Sequence, residues 1–285
     1  MERELSITNI PKEPRQEIMT FEEYENRHHE TPYVYELEDG EKKLTYFGAE
    51  HSRDPENPQF KRLEQEFRKI QPQLIFVEGI EDMEGFIKKE LENIKESEIA
   101  AVIGKYGEKG LAIKLAIKAG VEFQSPEPNE EEQVANLLEQ GFSQEDIFAH
   151  YVYFNAEQYQ YHGGEPSEEI LESIIKKFKA DFDWTDFDFS LGHLKQIWQR
   201  LWPDRADPLD FNFSRLDPVK REANLGTWTV VNEINSQRNI FRDQFMMEKI
   251  KQALENVNRL FIVYGASHAY MQEPALRKLF ETDFS

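Results

Sequence analysis

The sequence predicts an α/β protein in which a mostly parallel sheet is flanked by helices. A continuous apolar run at 74–77 has the character of a strand buried on both faces, which is typical of parallel sheets, and 259–264 is a second strong buried strand. Segments with apolar residues at helical spacing separate the candidate strands along the chain. Alternation of strands and helices is the sequence pattern of an α/β fold.

The first elements are predicted to form a hairpin. Strands are predicted at 33–37 and 43–47, and Asp39-Gly40 between them favours a tight turn. The second strand leads directly into Gly48-Ala-Glu-His51. Residues 1–30, which precede the hairpin, are polar and are predicted to be a tail or an edge element.

The other core elements follow in chain order. A helix at 58–70 has Phe60, Leu63 and Phe67 at helical spacing, and Pro72 follows its end. Beyond it, the sequence predicts a strand at 74–77, helices at 84–95 and 108–119, a strand at 121–124, a helix at 229–256, a strand at 259–264 and a helix at 274–280.

The middle of the chain, residues 129–227, is predicted to form a mainly helical insertion. Its last part, 203–226, contains several prolines and is predicted to be a long loop of the kind that often forms a lid. We therefore expect the insertion to cover a cleft at the strand ends. The whole of 31–285 is then one domain, with a core at about 31–128 and 228–285.

Composition excludes several classes of protein. The chain has 34 basic and 55 acidic residues, a net charge of −21, so nucleic acids and anionic membranes are not expected partners. It has no cysteine, which excludes disulfides, thiolate ligands and a cysteine nucleophile. The first residues lack the apolar stretch of a secretory signal. We expect a cytoplasmic protein with a small-molecule or peptide substrate, and the oligomeric state stays open.

Two Gly-x-x-His turns follow predicted strands and end at His51 and His268. Glu78 has the same position after the strand at 74–77. Functional groups in open α/β sheets lie beyond the carboxyl ends of the strands, so these three side chains are expected to converge. The alternative interpretation is that each histidine only caps or hydrogen-bonds a nearby helix.

Two imidazoles and a carboxylate suit a divalent transition metal with one open coordination position. His51, Glu78 and His268 are the predicted ligands, and the metal would lower the pKa of a bound water. Glu50, or Glu78 if it is not a ligand, is the candidate general base. Without a metal, a His–Glu pair is still able to activate water.

Three further residues are candidates for substrate binding. Arg238 and Arg242 are four residues apart on a predicted helix, so they share one face. An arginine there is suited to hold a substrate carboxylate or a developing oxyanion, which also makes Arg242 a candidate catalytic residue. An ordinary ion pair is the alternative for both arginines. Glu127 follows the strand at 121–124 between two prolines and is the third candidate.

A set of short motifs resembles the TIKI/TraB superfamily, a broad group that includes erythromycin-esterase-like and ChaN-like proteins. The resemblance covers about 45–125 and 228–280. It is carried by Tyr46-Phe-Gly-Ala-Glu-His51, Ile75-Phe-Val-Glu78-Gly79, Arg238-Asn239, Arg242-Asp243, Met246-Met247 and Val263-Tyr-Gly-Ala-Ser-His268.

The resemblance implies an α/β fold with a polar cleft and, as in TIKI-like members, metal-dependent peptide hydrolysis at His51, Glu78 and His268. Erythromycin-esterase-like members have a Gly-Glu-x-x-His-like first motif, whereas here Glu50 directly precedes His51. The expected function is metal-assisted hydrolysis of an amide or ester. The alternatives are a non-catalytic binder of haem or a peptide, as ChaN-like proteins suggest, and a metal-free esterase-like hydrolase.

Overall fold

The computed structural model describes residues 17–80, 86–161, 163–182, 184–204, 209, 215–220 and 224–282. Five strands and ten helices are described in these ranges. In chain order they are α1 Phe21–Glu25, β1 Tyr33–Asp39, β2 Lys42–Ala49, α2 Pro58–Ile70, β3 Leu74–Val77, α3 Phe86–Glu96, α4 Ile99–Ala119, β4 Glu122–Gln124, α5 Glu130–Glu139, α6 Gln144–Tyr161, α7 Glu168–Asp181, α8 Leu191–Leu201, α9 Val230–Asn256, β5 Arg259–Gly265 and α10 Ala266–Thr282.

The chain divides into two compact units. The first comprises the residues up to Pro128 and those from Asp243 onward, and the second is Asn129–Arg242. The predicted insertion began at the same residue but ended at 227. Because the second unit continues to Arg242, it also contains Arg238. None of the described helices is long and apolar enough to cross a membrane.

The first unit contains a mixed, mostly parallel sheet with the strand order β1-β2-β5-β3-β4. Strands β1 and β2 form the predicted antiparallel hairpin, and every other pair of neighbouring strands is parallel. The turn of the hairpin contains Gly40 at a positive φ of 55°, a conformation that glycine adopts without steric cost. The predicted α/β class with a mostly parallel sheet is confirmed.

Alternate residues of the strands point to opposite faces of the sheet, and each face packs against helices. On one face, Phe47, Ile75 and Val263 pack with residues of α2 and α4. On the other, Tyr46, Phe76 and Ile262 pack with α10 and the second half of α9. Both faces are therefore buried, which explains why β3 is a continuous apolar run.

Helix α10 is longer than the sequence predicted. It begins at Ala266 instead of near Pro274, and the proline lies inside the helix. Proline lacks the N–H for a helical hydrogen bond and usually marks a helix start or end. Here Ala269, Met271 and Leu276 are buried on both sides of the proline, so packing against the sheet outweighs the local preference.

The second unit is helical and has its own aromatic core. Residues of α6, α7 and α8 form this core together with residues from the beginning of α9. The acidic aromatic stretch at 181–189 contributes Trp184, Phe187 and Phe189, whose rings pack against this core. Trp184 and Phe189 both contact Phe178 of α7. The aromatic residues of the stretch therefore have a packing role within this unit.

Candidate functional site

The order of the strands places the three predicted ligands at neighbouring strand ends. Strand β5 lies between β2 and β3, with Ala49 opposite Gly265 and Val77 opposite Val263. Glu78 directly follows β3, His51 comes two residues after β2, and His268 lies in the first turn of α10. The second Gly-x-x-His motif is therefore a strand-to-helix junction and not a separate turn.

Gly265, the last residue of β5, lies where these three side chains meet. A Cβ on Gly265 would be 3.4 Å from His51 Nε2, 3.5 Å from Glu78 Oε2 and 3.8 Å from His268 Cδ2. The Gly265 N–H also donates a hydrogen bond to Glu78 Oε2 at 2.7 Å. The structure thus brings together His51, Glu78 and His268, and the missing side chain of Gly265 leaves space between them.

His51 is paired with Glu108, a residue that the sequence analysis did not single out. Its Nδ1 lies 2.6 Å from Glu108 Oε1, and its side chain is 62% exposed whereas that of Glu108 is 12% exposed. The hydrogen bond to Glu108 raises the pKa of His51 to about 8; desolvation and the charge of Lys109 oppose this rise, and the charge of Glu78 adds to it. His51 is consequently mostly protonated at neutral pH.

A kink in α4 accompanies the contact between Glu108 and His51. Gly107 has φ 63° and ψ −146°, a non-helical conformation inside the α4 range. A Cβ on Gly107 would lie only 2.8 Å from the carbonyl oxygen of Ser52. Only glycine satisfies both the positive φ and the close approach of the loop that carries His51. Gly107, which directly precedes the helix predicted at 108–119, was the available sequence signal for this kink.

His268 is paired with Asp243 in a buried network. Its Nδ1 lies 2.7 Å from Asp243 Oδ1, and the same oxygen accepts a hydrogen bond from Gln272 Nε2 at 2.6 Å. The Tyr46 hydroxyl donates to Gln272 Oε1 at 3.0 Å. Asp243 belongs to the Arg242-Asp243 motif of the sequence, which did not indicate a role for it. The structure shows that this carboxylate orients the imidazole of His268.

Two aromatic rings contact the imidazole of His268. The ring of Tyr264 lies edge-on to it at 5.1 Å between centroids, and that of Phe21 from α1 lies edge-on at 6.3 Å. The backbone N–H of Met19 donates to the carbonyl of Met271, which connects the segment before α1 to α10. Aromatic residues and a carboxylate therefore surround the imidazole of His268.

Glu127 and Glu50 make contacts that differ from those of the three central side chains. The Glu127 carboxylate is buried, and it accepts hydrogen bonds from the Tyr264 hydroxyl and from the Gly79 N–H. The Glu50 carboxylate accepts a hydrogen bond from Asn57 Nδ2 at 3.3 Å. These contacts give Glu127 a part in fixing the ends of β3 and β5, and they direct Glu50 to the N-terminal cap of α2. The substrate-binding role of Glu127 and the catalytic role of Glu50 stay predictions.

The two predicted substrate-binding arginines belong to the second unit. Arg238 donates from Nε to Gln133 Oε1, and its guanidinium lies 4.4 Å from the ring centroid of Phe154. Arg238 also lines a small cavity in that unit. Arg242 donates from Nη1 to Asn239 Oδ1 at 3.3 Å. Their roles toward a substrate likewise stay predictions.

The side chains around Gly265 carry nitrogen and oxygen atoms of the types that bind metals. Among the described residues, no three His, Asp or Glu side chains are grouped closely enough to hold a metal ion. The imidazoles of His51 and His268 each direct Nδ1 to a carboxylate, as metal-binding histidines usually do. The same pairing orients histidines that transfer protons, so the arrangement is compatible with both chemistries.

Comparisons with protein-family models, with curated proteins and with solved structures find no match to this chain. The resemblance to the TIKI/TraB superfamily therefore rests on the short motifs alone.

Proposed function

We propose that the protein hydrolyses an amide or ester bond at the cluster formed by His51, Glu78 and His268. The observation that supports this best is the pair of His–carboxylate contacts, His51 with Glu108 and His268 with Asp243, on either side of the space above Gly265. Each carboxylate accepts a hydrogen bond from Nδ1 of its imidazole, which orients the Nε2 side of the ring for proton transfer.

The two histidines are suited to complementary steps. Asp243 accepts the Nδ1–H of His268, so Nε2 carries a lone pair and takes a proton from the attacking water. The water oxygen bonds to the substrate carbonyl carbon. His51, protonated below about pH 8, then donates its Nε2 proton to the departing amine or alkoxide oxygen as the scissile bond breaks. The sequence suggested Glu50 or Glu78 as the base, whereas the geometry favours His268.

Glu78 has an electrostatic role in this proposal. Its carboxylate accepts the Gly265 N–H, and its charge favours the protonated form of His51. If a divalent transition metal binds, His51, Glu78 and His268 are the residues that would hold it. The metal would act as a Lewis acid and would lower the pKa of a bound water.

The test is turnover of ester and peptide panels by protein purified without an affinity tag. His51→Ala and His268→Ala are each expected to lower kcat by about a hundredfold or more, because each removes a proton-transfer group. His28→Ala is the matched control, since His28 is exposed and lies outside the cluster. Equal activity of the three variants would overturn the assignment of the site.

The same panels distinguish the alternatives. Activity that is lost on chelation and restored by a divalent metal would support metal-assisted hydrolysis, whereas chelator-resistant activity would support the metal-free mechanism. No turnover under any metal, together with visible absorption on addition of haem or with peptide binding, would replace hydrolysis by ligand binding.

A further inference from the structure

A glutamine lies in the apolar layer where α10 packs against the sheet. Gln272 is fully buried, and Ala269 and Leu276 of the same helix belong to the apolar cluster on that face. A buried amide is costly unless hydrogen bonds satisfy it, and an apolar side chain of the same size would fill the space without that cost. The presence of Gln272 is therefore explained by the groups to which its amide binds.

The side-chain amide of Gln272 connects the Asp243–His268 pair to strand β2. His268 and Gln272 are four residues apart in α10, so both side chains lie on one face of that helix. Gln272 Nε2 donates to Asp243 Oδ1 at 2.6 Å, and the same oxygen lies 2.7 Å from His268 Nδ1. The Tyr46 hydroxyl donates to Gln272 Oε1 at 3.0 Å. This second hydrogen bond fixes which end of the amide faces the carboxylate.

We propose that Gln272 and Tyr46 are positioning residues that hold the Asp243 carboxylate so that His268 keeps its proton on Nδ1. This inference rests on the proposed function, in which Nε2 of His268 takes a proton from the attacking water. An imidazole with the opposite tautomer carries its proton on Nε2 and is unable to act as the base. Gln272 and Tyr46 are both fully buried, so they act through Asp243 and not on the substrate directly.

The tautomer of His268 is measurable without a substrate. Two-bond ¹⁵N–¹H correlation spectra of chelator-treated, labelled protein distinguish a protonated from an unprotonated ring nitrogen, and His268→Ala assigns the signals. The wild type is expected to carry the proton on Nδ1. Gln272→Met keeps the length of the side chain but removes the amide, so the carboxylate is free to turn toward the Tyr46 hydroxyl. A mixture of both tautomers is expected, with kcat lower by about tenfold.

Gln59→Met is the matched control for the tautomer. Gln59 is another buried glutamine of the first unit, and its amide exchanges hydrogen bonds with the backbone of Glu50. The variant removes the same group from the interior and is expected to leave the His268 tautomer as in the wild type. An unchanged tautomer in Gln272→Met, or an equal change in both variants, would overturn the role of Gln272.

Tyr46→Phe tests the network with a smaller change and decides the question if Gln272→Met does not fold. It removes one hydroxyl and keeps the ring that stacks on Tyr35. The Nδ1-protonated tautomer is expected to decrease, with kcat lower by about threefold. Because Tyr46 acts through Gln272, the double variant is expected to have the kcat of Gln272→Met alone. An unaltered tautomer in Tyr46→Phe, or losses of kcat that multiply in the double variant, would overturn the role of Tyr46.

The spectra and the activity assay separate this inference from the proposed function. A His268 tautomer that depends on Gln272, in a protein that hydrolyses no ester or amide, would retain the positioning network and overturn the hydrolase. Hydrolysis with a tautomer that is independent of Gln272 would retain the hydrolase and overturn the positioning role. A tautomer and a kcat that change together, with KM nearly unchanged, would support both.

Discussion

At the scale of single residues, Gly265 controls the space between the candidate catalytic groups. Gly265→Ala is expected to lower kcat by about tenfold or more, because the methyl group occupies the space where substrate and water would react. The nearest contact of that methyl is the exposed His51 ring at 3.4 Å, so the fold should tolerate it. The free energy of unfolding is expected to change by less than about 1 kcal/mol.

Gly104→Ala provides the control for this substitution. Gly104 lies in α4, and a Cβ there would have nothing within 4 Å. Full activity is expected, with unchanged or slightly higher stability. Steady-state kinetics and urea unfolding of both variants test the prediction, which would be contradicted if Gly265→Ala kept wild-type kcat.

The pKa of His51 predicts a pH dependence of the reaction. If protonated His51 is the acid, kcat/KM should fall above about pH 8, the pKa that the hydrogen bond to Glu108 produces. In Glu108→Gln the basic limb should move down by about one pH unit, toward the ordinary pKa of histidine. Glu56→Gln, at an exposed glutamate of the same loop as His51, should leave the limb in place. An unshifted limb in Glu108→Gln would remove His51 from the acid role.

The contact between His51 and Glu108 also makes the stability of the fold depend on pH. Because the pKa of His51 is raised in the folded state, its stabilising contribution is present below about pH 6.5 and is lost as the pH rises through about 8. Raising the pH through about 8 should therefore both weaken the contact between His51 and Glu108 and lower kcat/KM.

At the scale of elements, the packing of α10 against β2 depends on Gly48. A Cβ on Gly48 would lie 2.7 Å from the Ala269 Cβ, 2.7 Å from the Tyr33 carbonyl oxygen and 2.9 Å from the Ala266 Cα. Two of these atoms belong to the backbone, so the clash cannot be relieved by a rotamer change. Gly48→Ala is expected to destabilise the protein by about 1–3 kcal/mol or more.

Urea unfolding compares Gly48→Ala with Gly104→Ala, which has open space around its Cβ. Because α10 carries His268, the Gly48 variant should also lose activity. A stability equal to that of the Gly104 variant would mean that β2 and α10 pack less closely than described.

The sequence predicted the features that depend on neighbouring residues, and it did not predict the hydrogen bonds between residues that are far apart in the chain. The runs at β3 and β5 predicted buried parallel strands, and the rule for strand ends predicted the convergence of His51, Glu78 and His268. The contacts of Glu108 and Asp243 depend on the Gly107 kink and on the packing of α9 with α10. Both contacts join residues that are distant in the chain. Gly107 marked the place of the kink, but no local pattern indicated the histidine partner of either carboxylate.

At the scale of the whole molecule, a buried histidine in the second unit lowers the free energy of unfolding at acid pH. Burial and the charge of Arg238 together lower the pKa of His150 to about 3, and the hydrogen bond to Asn235 opposes this shift. In the unfolded chain His150 is protonated below about pH 6.5, whereas in the folded chain it stays neutral down to about pH 3. Stability is therefore unaffected above about pH 6.5 and falls below it, by about 2 kcal/mol at pH 5.

Urea unfolding at pH 7 and pH 5 tests this effect of His150. In His150→Gln, which has no titrating ring, the loss of unfolding free energy between the two pH values should be smaller by about 2 kcal/mol. Contributions of carboxyl groups elsewhere are common to both proteins and cancel in the comparison. The same pH dependence in both proteins would contradict the prediction.

The strand order has a consequence for how the protein is made. Strand β5 is central in the sheet, yet it follows the other four described strands in the sequence, and it joins the β1–β2 hairpin to the β3–β4 pair. During synthesis, both halves of the sheet must wait for residues 259–265 to leave the ribosome, and the second unit is complete before that point. The candidate site needs Gly265 and His268, so it is incomplete until β5, the strand that joins the two halves of the sheet, has been made.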